Sequence, residues 1–309
     1  MTSTDPDLHL EANSTLEGAI RLFSVVGMPS RGLSARTRVE YASDLAEFAR
    51  FASSRGLSTM AEINLRHLEA YMAYLDGRAL KPSSINRKAQ TLKSFFRFLH
   101  EHGERAENVA ARLIPPRIPR REPRFLSEVE YKELLRTCSH HPRDAAIVEV
   151  LLQTGMRLSE IAGLTWDDVE LPGKVTPEPE NMGHARIIRK GGKVVLIPLN
   201  FKACRALKNW KASMHRRDKG CGAVFVSKYG SPLSKRAIQD IVAKHLAAAK
   251  ITGASVHSLR HTMATHHIAR GTDLKTVQET LGHADLATTA LYVSLAKQAQ
   301  RKALQEHAL

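Results

Sequence analysis

The segment Ile114-Pro-Pro-Arg-Ile-Pro-Arg-Arg-Glu-Pro-Arg124 interrupts the helical patterns on either side of it. Four prolines in eleven residues cannot continue a helix, because proline lacks a backbone N–H and fixes its own φ angle. The segment is therefore predicted to be an extended, basic linker between two separately folded units. We expect a flexible N-terminus at residues 1–13, a first unit at residues 14–113 and a second at residues 125–309.

The overall composition supports two ordinary globular domains. The chain has 309 residues, of which 43% are hydrophobic, and this excludes disorder throughout. It has no apolar run long enough to span a membrane and no apolar signal core near its start, so membrane and secreted locations are not expected. Three cysteines without a CxxC pair are typical of reduced thiols in the cytoplasm, not of a zinc site or a disulfide framework.

The net charge of +15 is unevenly distributed along the chain. Residues 1–113 carry +2, the linker at residues 114–124 carries +3 and residues 125–309 carry +10. An excess of this size favours a polyanionic partner, most often nucleic acid. A basic protein with no such role would have the same composition, so charge alone leaves both interpretations open.

The first unit is predicted to be a small helical bundle. Apolar residues at helical spacing predict helices near 16–26, 34–55 and 65–75, and a further helix after Pro82 with Ser83 or Ser84 as its N-cap. Basic side chains on these helices are candidate contacts for DNA phosphates, although a solvated helix face explains them equally well. The candidates here are Arg36, Arg38, Arg87, Lys88 and Lys93, and the linker adds Arg117, Arg120, Arg121 and Arg124.

The second unit is predicted to mix helices with a β-hairpin. Residues 127–137, with Ser127 and Glu130 in a capping pattern, 144–155 and 158–164 have helical patterns. Residues 185–190 and 193–198 alternate as strands around Gly191-Gly192, which predicts a hairpin with a two-residue turn. Mostly helical patterns follow at residues 200–215, 234–249, 257–270, 273–282 and 286–304.

Several residues of this unit are suited to phosphate chemistry. Arg157 follows a glycine helix stop, Lys190 lies at the hairpin tip, and His257, Arg260 and His261 share one helix face. Each alone has an ordinary structural explanation. A metal pair from the two histidines is a weak alternative, because no acidic or cysteine ligand accompanies them.

These residues together, with His283 and Tyr292, point to phosphoryl transfer without a metal. Two guanidinium groups can clamp the non-bridging oxygens of a phosphodiester, where transition-state charge accumulates. A tyrosine can act as nucleophile, but its phenol has a pKa of about 10 and needs a base and a positive field. The histidines and arginines would supply both.

Residues 125–309 resemble the catalytic domain of the tyrosine recombinases, the phage integrase and Xer family. The resemblance rests on the ordered set TGMRLSE, the KGGK hairpin, HSLRHTMATH, LGHA and TTALY. Residues 14–103 resemble the family's helical, SAM-like core-binding domain. The implied fold is mainly α-helical with a small β-sheet, an N-terminal helical bundle followed by an α+β catalytic domain. The family's six catalytic positions fall on Arg157, Lys190, His257, Arg260, His283 and Tyr292.

The resemblance also implies a mechanism. Tyr292 would attack a DNA phosphate to form a 3′-phosphotyrosine, and a partner strand would then attack through a Holliday junction. The arginines and His283 would bind the phosphate, with Glu160 orienting Arg157. His257 would take the tyrosine proton, and Lys190 would protonate the leaving 5′-oxygen.

The implied partners are double-stranded DNA and further copies of the chain. The family works as a tetramer, and residues 294–309 would form a helix that docks on a neighbouring protomer. The reaction needs no metal, ATP or other cofactor. We expect cytoplasmic, nucleoid-associated action without a membrane partner, and a second recombinase or an accessory protein is compatible with it.

Some features depart from the family pattern. Arg189 occupies a position where Xer-like members usually have glycine, and Lys193 is a second candidate for the hairpin lysine. Residues 172–183 are longer and richer in proline than in compact Xer proteins. Two alternatives to a site-specific recombinase remain, a type IB topoisomerase-like enzyme and a catalytically idle DNA-binding protein.

Overall fold

The computed structural model describes residues 15–118, 123–189, 192–214 and 220–282. The chain divides into two compact units, one ending at Arg121 and the other beginning at Glu122. Expectations for residues 1–13, Arg120, Arg121, Lys190, residues 283–309 and therefore His283 and Tyr292 fall outside the described residues. None of the helices within the described ranges is long and apolar enough to cross a membrane.

The regular elements in the described part of the N-terminal unit are helices, apart from an isolated β-bridge between Thr15 and Thr59. Its third helix begins where the sequence predicts, because the Ser34 hydroxyl caps it by accepting the backbone N–H of Thr37 at 3.2 Å. The helices are α1 Leu16–Leu22, α2 Met28–Ser30, α3 Ala35–Ser53, α4 Leu65–Gly77 and α5 Pro82–Glu101, with a π-helical turn at Phe23–Gly27.

One local prediction for this unit is confirmed in outline and one is wrong. The helix expected near 16–26 is α-helical to Leu22 and continues as the π-helical turn. The N-cap of α5 is Lys81, not Ser83 or Ser84, because Pro82 occupies the first helical position, where its missing N–H breaks no helical hydrogen bond.

Aromatic side chains form the core of the N-terminal unit. Phe48, Tyr71, Phe95 and Phe96 are almost fully buried. Phe48 and Tyr71 meet edge to face with ring centroids 5.2 Å apart, and Phe95 and Phe96 do so at 5.0 Å. Such edge-to-face pairs add about 1 kcal/mol each to the free energy gained from burying the rings.

The C-terminal unit packs helices around α7. The capping pattern predicted at its start is confirmed, since the Glu130 carboxylate accepts the Ser127 N–H at 2.8 Å and the Ser127 hydroxyl accepts the Glu130 N–H at 3.3 Å. The helices are α6 Glu128–Cys138, α7 Pro142–Thr154, α8 Leu158–Ala162, α9 Phe201–Ser213, α10 Lys235–Ala248, α11 Val256–Ala269 and α12 Leu274–Leu281.

A three-stranded antiparallel sheet lies between α8 and α9 in the chain. Its order is β1 Val169–Glu170, β2 Gly183–Ile188 and β3 Val194–Leu199. The sequence predicted β2 and β3 but not the two-residue β1. The segment of uncertain role at residues 172–183 connects β1 to β2 and contains a 3₁₀ turn at Pro179–Asn181.

The β2–β3 register differs from the predicted one by one residue. Ile188, the last residue of β2, pairs with Val194, the first of β3, and the Arg189 N–H donates to the Lys193 carbonyl at 2.9 Å. Gly192 has a φ of 76°, in the left-handed region that glycine favours in hairpin turns. This shift places Arg189 at the end of the ladder, directly before Lys190.

Candidate active site

Arg157 lies at the junction of α7 and α8. Gly155 ends α7 with a φ of 60°, and Arg157 is the N-cap of α8. The Glu160 carboxylate accepts the Arg157 backbone N–H at 2.8 Å and its Nη1 at 3.0 Å. One carboxylate therefore caps the helix and orients the guanidinium, which retains 40% side-chain exposure.

Arg260 is buried in the middle of α11, with 7% of its surface exposed. Its Nη2 donates to the Leu281 carbonyl at 2.6 Å, and its Nη1 donates to the Gly155 carbonyl. A side chain added at Gly155 would come within 2.7 Å of Leu281 Cδ2. The glycine stop of α7 thus lets α12 and Arg260 approach the junction where Arg157 lies.

His257 and His261 lie on the same helix as Arg260 and differ in burial. His257 is exposed and His261 is half-buried. Burial, followed by the charges of the neighbouring His257 and Arg260, lowers the pKa of His261 to about 4. His261 is therefore neutral at physiological pH, whereas His257 is accessible to a ligand at the surface.

Three arginines bind the C-terminal end of α12. The carbonyls of Glu279, Thr280, Leu281 and Gly282, which we call the α12-end carbonyls, all accept guanidinium N–H groups. Arg189 donates to the first two at 3.3 and 2.7 Å, and Arg260 to the third. Arg157 Nη2 donates to the fourth at 3.0 Å. A helix C-terminus carries partial negative charge, so cations stabilise it.

Glu160 joins two of these arginines. Its Oε1 lies 3.0 Å from Arg157 Nη1 and 3.3 Å from Arg189 Nε, and its side chain is only 5% exposed. A buried carboxylate of this kind is stable because both neighbours are cationic. Glu160, which was predicted to orient Arg157, thus also holds Arg189, which was not among the predicted site residues.

Three of the predicted catalytic residues, Lys190, His283 and Tyr292, lie outside the described residues. In the sequence, Lys190 follows Arg189 and His283 follows Gly282, and both preceding residues belong to the cluster just described. Lys193, the second candidate for the hairpin lysine, is exposed.

Comparison with known sequences identifies the family. The sequence profile of the phage integrase family matches residues 124–299, and that of the phage integrase N-terminal SAM-like domain matches residues 28–103. The chain belongs to the phage integrase family. It is a tyrosine recombinase, a type of enzyme that cleaves and rejoins DNA strands, and the predicted family and reaction class are confirmed.

Curated relatives of this phage integrase family member are tyrosine recombinases. The chain is 34% identical over 292 residues to tyrosine recombinase XerC of Xanthomonas campestris, covering 92% of this chain and 86% of the relative. It is 35% identical over 282 residues to XerC of Pelobacter propionicus, covering 88% and 89%.

Solved structures share the fold of this recombinase. XerH bound to a palindromic difH substrate aligns with a TM-score of 0.73 at 22% identity, covering 92% of this chain and 83% of that one. A lambda integrase tetramer bound to a Holliday junction aligns at 0.69 and 20% identity, covering 89% and 79%. The predicted mainly α-helical fold with a small sheet is confirmed.

The candidate DNA contacts in the recombinase's first unit differ in accessibility. Arg36 is 82% exposed and pairs with Glu40 at 3.0 Å, and Arg38 is exposed with its Nε donating to the Leu33 carbonyl at 2.8 Å. Arg87 is 41% exposed, and its guanidinium pairs with the buried Asp44 carboxylate. Arg36 and Arg38 can therefore meet a phosphate without disturbing the core, whereas Arg87 also neutralises a buried carboxylate.

Lys88 does not fit the expected phosphate contact. Its side chain is 8% exposed, and its ammonium donates to Asp44 Oδ1 at 2.9 Å and to Glu47 Oε2 at 2.6 Å. The prediction failed because Lys88, although it follows Arg87 in the sequence, lies on the face of its helix that is turned towards α3. A lysine enclosed by two carboxylates supports the bundle instead.

Lys93 lies on an open cleft with two arginines that the sequence analysis missed. Arg31, Gln90, Lys93 and Arg97 line this cleft. Arg97 is one helical turn from Lys93, so the i, i+4 spacing could have indicated it. Arg31 arrives from the segment before α3, and no local pattern indicates it.

The linker arginines are only partly described. Arg117 is exposed. Arg124 is 38% exposed and pairs with Glu130, the capping residue of α6. Arg124 therefore fastens the end of the linker to the catalytic unit.

The described ranges contain no group of three or more histidine, cysteine or acidic side chains that could hold a metal ion. Cys138 and Cys204 are buried free thiols, and Cys221 is exposed.

Two further histidines of α11 have structural roles. His266 hydrogen-bonds the Leu126 carbonyl, and His267 hydrogen-bonds the Thr272 hydroxyl.

Proposed function

We propose that this recombinase cuts and rejoins DNA at a specific site through a 3′-phosphotyrosine formed by Tyr292. The observation that carries the proposal is the convergence of Arg157 and Arg260 on the carbonyls of Gly282 and Leu281, directly before His283. Two cations from distant parts of the chain thus meet at the two residues that precede His283 in the sequence, the residue proposed to bind the phosphate. Such preorganised charge suits a phosphodiester transition state.

In the proposed reaction, the Tyr292 oxygen attacks phosphorus and the bond to the 5′-oxygen breaks. His257 takes the phenol proton, and Lys190 gives a proton to the 5′-oxygen. Arg157 and Arg260 bind the non-bridging oxygens, and His283 donates a hydrogen bond to one of them. The 5′-hydroxyl of a partner strand then reverses the step, so the bond energy is retained and neither ATP nor a metal is consumed.

The same proposal assigns the parts of the chain. Residues 14–113 would bind one side of the duplex, the linker at 114–124 would follow its backbone, and residues 125–309 would carry the chemistry. Lambda integrase is a tetramer on a Holliday junction, and we extend that assembly to this chain, with residues 294–309 docking on a neighbour. The site of action would be the cytoplasm, on the nucleoid. Proposed phosphate contacts are Arg36, Arg38, Arg87, Lys93, Arg117, Arg120, Arg121 and Arg124.

Tyr292→Phe tests the nucleophile. We expect the variant to form no covalent protein–DNA adduct while its DNA affinity stays within about threefold of wild type, because only the phenolic oxygen is lost. Adducts are trapped on genomic fragments in buffer with EDTA, separated on denaturing gels, and the attached DNA is sequenced to give the target site.

The control is Tyr229→Phe, since Tyr229 is a 78% exposed tyrosine of the same unit. It should form adducts at the wild-type rate. An adduct that persists in the Tyr292 variant would disprove the assignment, and strict dependence on magnesium would contradict the metal-free reaction. Crossed products from two labelled duplexes would distinguish recombination from topoisomerase-like religation.

A further inference from the structure

The Arg189 side chain is mostly buried, whereas the other described residues at this end of the hairpin are exposed. Its side chain is 11% exposed, whereas Ile188 is 67% exposed, Val194 is 53% exposed, and Gly192 and Lys193 are also exposed. Arg189 is thus the one side chain among described residues 188–189 and 192–194 that is held against the body of the catalytic unit.

All three nitrogens of its guanidinium group have partners. Nε donates to Glu160 Oε1 at 3.3 Å, Nη1 to the Glu279 carbonyl at 3.3 Å and Nη2 to the Thr280 carbonyl at 2.7 Å. Because the guanidinium is planar and its N–H groups point in fixed directions, it determines both the direction and the distance of these hydrogen bonds. A lysine at the same place could not do this.

The absence of a side chain at Gly282 leaves space for the Arg189 guanidinium. A Cβ built on Gly282 would overlap the Arg189 guanidinium. Gly282 also has a φ of 63° and ends α12, so its lack of a side chain serves both the turn and the approach of Arg189.

We propose that Arg189 is a positioning residue for strand cleavage. It fastens the chain at the end of β2, directly before Lys190 in the sequence, to Glu160, which holds Arg157, and to the α12-end carbonyls, which precede His283. This inference rests on the proposed function, in which Lys190 donates the proton to the leaving oxygen. Loss of Arg189 releases the hairpin end, so proton donation slows.

The chemistry of the leaving group separates this role from a structural one. When Tyr292 attacks, the phosphorus–oxygen bond breaks and the 5′-oxygen takes a proton from the Lys190 ammonium. A substrate with sulfur at the bridging 5′ position leaves as a thiolate, which is stable near neutral pH because a thiol has a pKa of about 8.5. Cleavage of that substrate needs no proton donor.

The experiment measures single-turnover adduct formation by Arg189→Gln on duplexes that carry the trapped target site. We expect the rate on ordinary DNA to fall at least tenfold and the rate on 5′-phosphorothiolate DNA to stay within threefold of wild type. DNA affinity should match that of the control Arg186→Gln, while the thermal unfolding midpoint should fall below that of the control and stay above the assay temperature, because Glu160 loses one of its two cationic neighbours. Arg186 lies on β2, pairs with Asp168 at 2.7 Å and is 51% exposed.

The cleavage rates of Lys190→Ala on ordinary and on 5′-phosphorothiolate DNA show whether the proposed function or the positioning role of Arg189 fails. If the sulfur substrate restores neither variant, Lys190 is not the proton donor and the proposed function is wrong at that residue. If it restores Lys190→Ala but not Arg189→Gln, or if Arg189→Gln cleaves ordinary DNA within threefold of the control, the positioning role is disproved. Should Arg189→Gln fail to fold, Arg189→Lys, which keeps the charge but loses the planar guanidinium, is measured in its place.

Discussion

Lys88 illustrates how burial determines what a basic side chain can do. Its ammonium lies between Asp44 and Glu47, and Thr91 Oγ1 donates to the same Asp44 at 3.0 Å. Burial alone would raise the pKa of Glu47, but Lys88 and Arg78 outweigh it and hold the pKa below its usual value. The stability gained from Glu47 is therefore present at neutral pH and lost as the pH falls through this lowered pKa.

Lys88→Met should destabilise the protein without weakening DNA binding. We expect the free energy of unfolding to fall by about 3 kcal/mol, because removing one partner leaves the Asp44 carboxylate buried with fewer cations. Urea unfolding measures this change, and DNA titration measures the affinity. Arg36→Met, at an 82% exposed position, should change stability by less than about 0.5 kcal/mol. Unchanged stability with weaker DNA binding would restore Lys88 as a DNA contact.

At the scale of elements, the catalytic unit depends on how helices end. Gly155 ends α7 and Gly282 ends α12, both in the left-handed region. These two stops bring the α7–α8 junction, α11 and the α12-end carbonyls together around Arg157 and Arg260. The helix ends therefore organise the site, with arginine side chains donating to the backbone oxygens at the end of α12.

Gly282→Ala should impair cleavage more than its backbone strain explains. The added methyl group would displace the Arg189 guanidinium and would also be strained at a φ of 63°. We expect a loss of adduct-forming rate of tenfold or more, measured in the single-turnover assay.

The matched control is Gly253→Ala, because Gly253 has a φ of 68° and open space around its Cα. That variant should lose about 1 kcal/mol of stability from strain alone and keep its cleavage rate. Equal rates for the two variants would show that the displacement of Arg189 does not matter.

At the scale of the whole molecule, the basic side chains behind the net charge of +15 have several different roles. Arg157, Arg189 and Arg260 are held at the α12-end carbonyls, and Lys88 lies inside the bundle. Exposed side chains such as Arg36, Arg38 and Arg117 are available to a duplex. Net charge therefore overstates the number of phosphate contacts.

DNA affinity should still fall steeply with salt, because each neutralised phosphate releases a counterion. With about eight proposed contacts, the slope of log affinity against log salt should be near −7. Substituting three linker arginines with glutamine should reduce the slope by about 3. The variant is Arg117→Gln, Arg120→Gln and Arg121→Gln, measured by titration at several salt concentrations.

A control with the same loss of charge separates contacts from long-range attraction. Lys132, Arg136 and Arg236 each pair with an acidic residue of their own helix. Their combined change to glutamine should alter the slope by less than about 1. Equal effects of the two triple variants would contradict contact by the linker.

Local signals in the sequence predicted much of the architecture. Ser34, Ser127 and Gly155 begin or end helices where expected, because capping depends on residues within one turn. The ordered motifs of the second unit were sufficient to indicate the family. The hairpin register was predicted one residue away from the observed one, since glycine pairs are compatible with more than one strand register.

The sequence by itself determined the family, the helical character of both units and the residue types available for phosphate chemistry, because these depend on local pattern and motif order. Only the tertiary structure decided which basic residues meet. It buried Lys88 against α3, and it brought Arg157, Arg189 and Arg260 to one helix end. Burial and convergence depend on contacts between residues up to 125 positions apart, which no local pattern encodes.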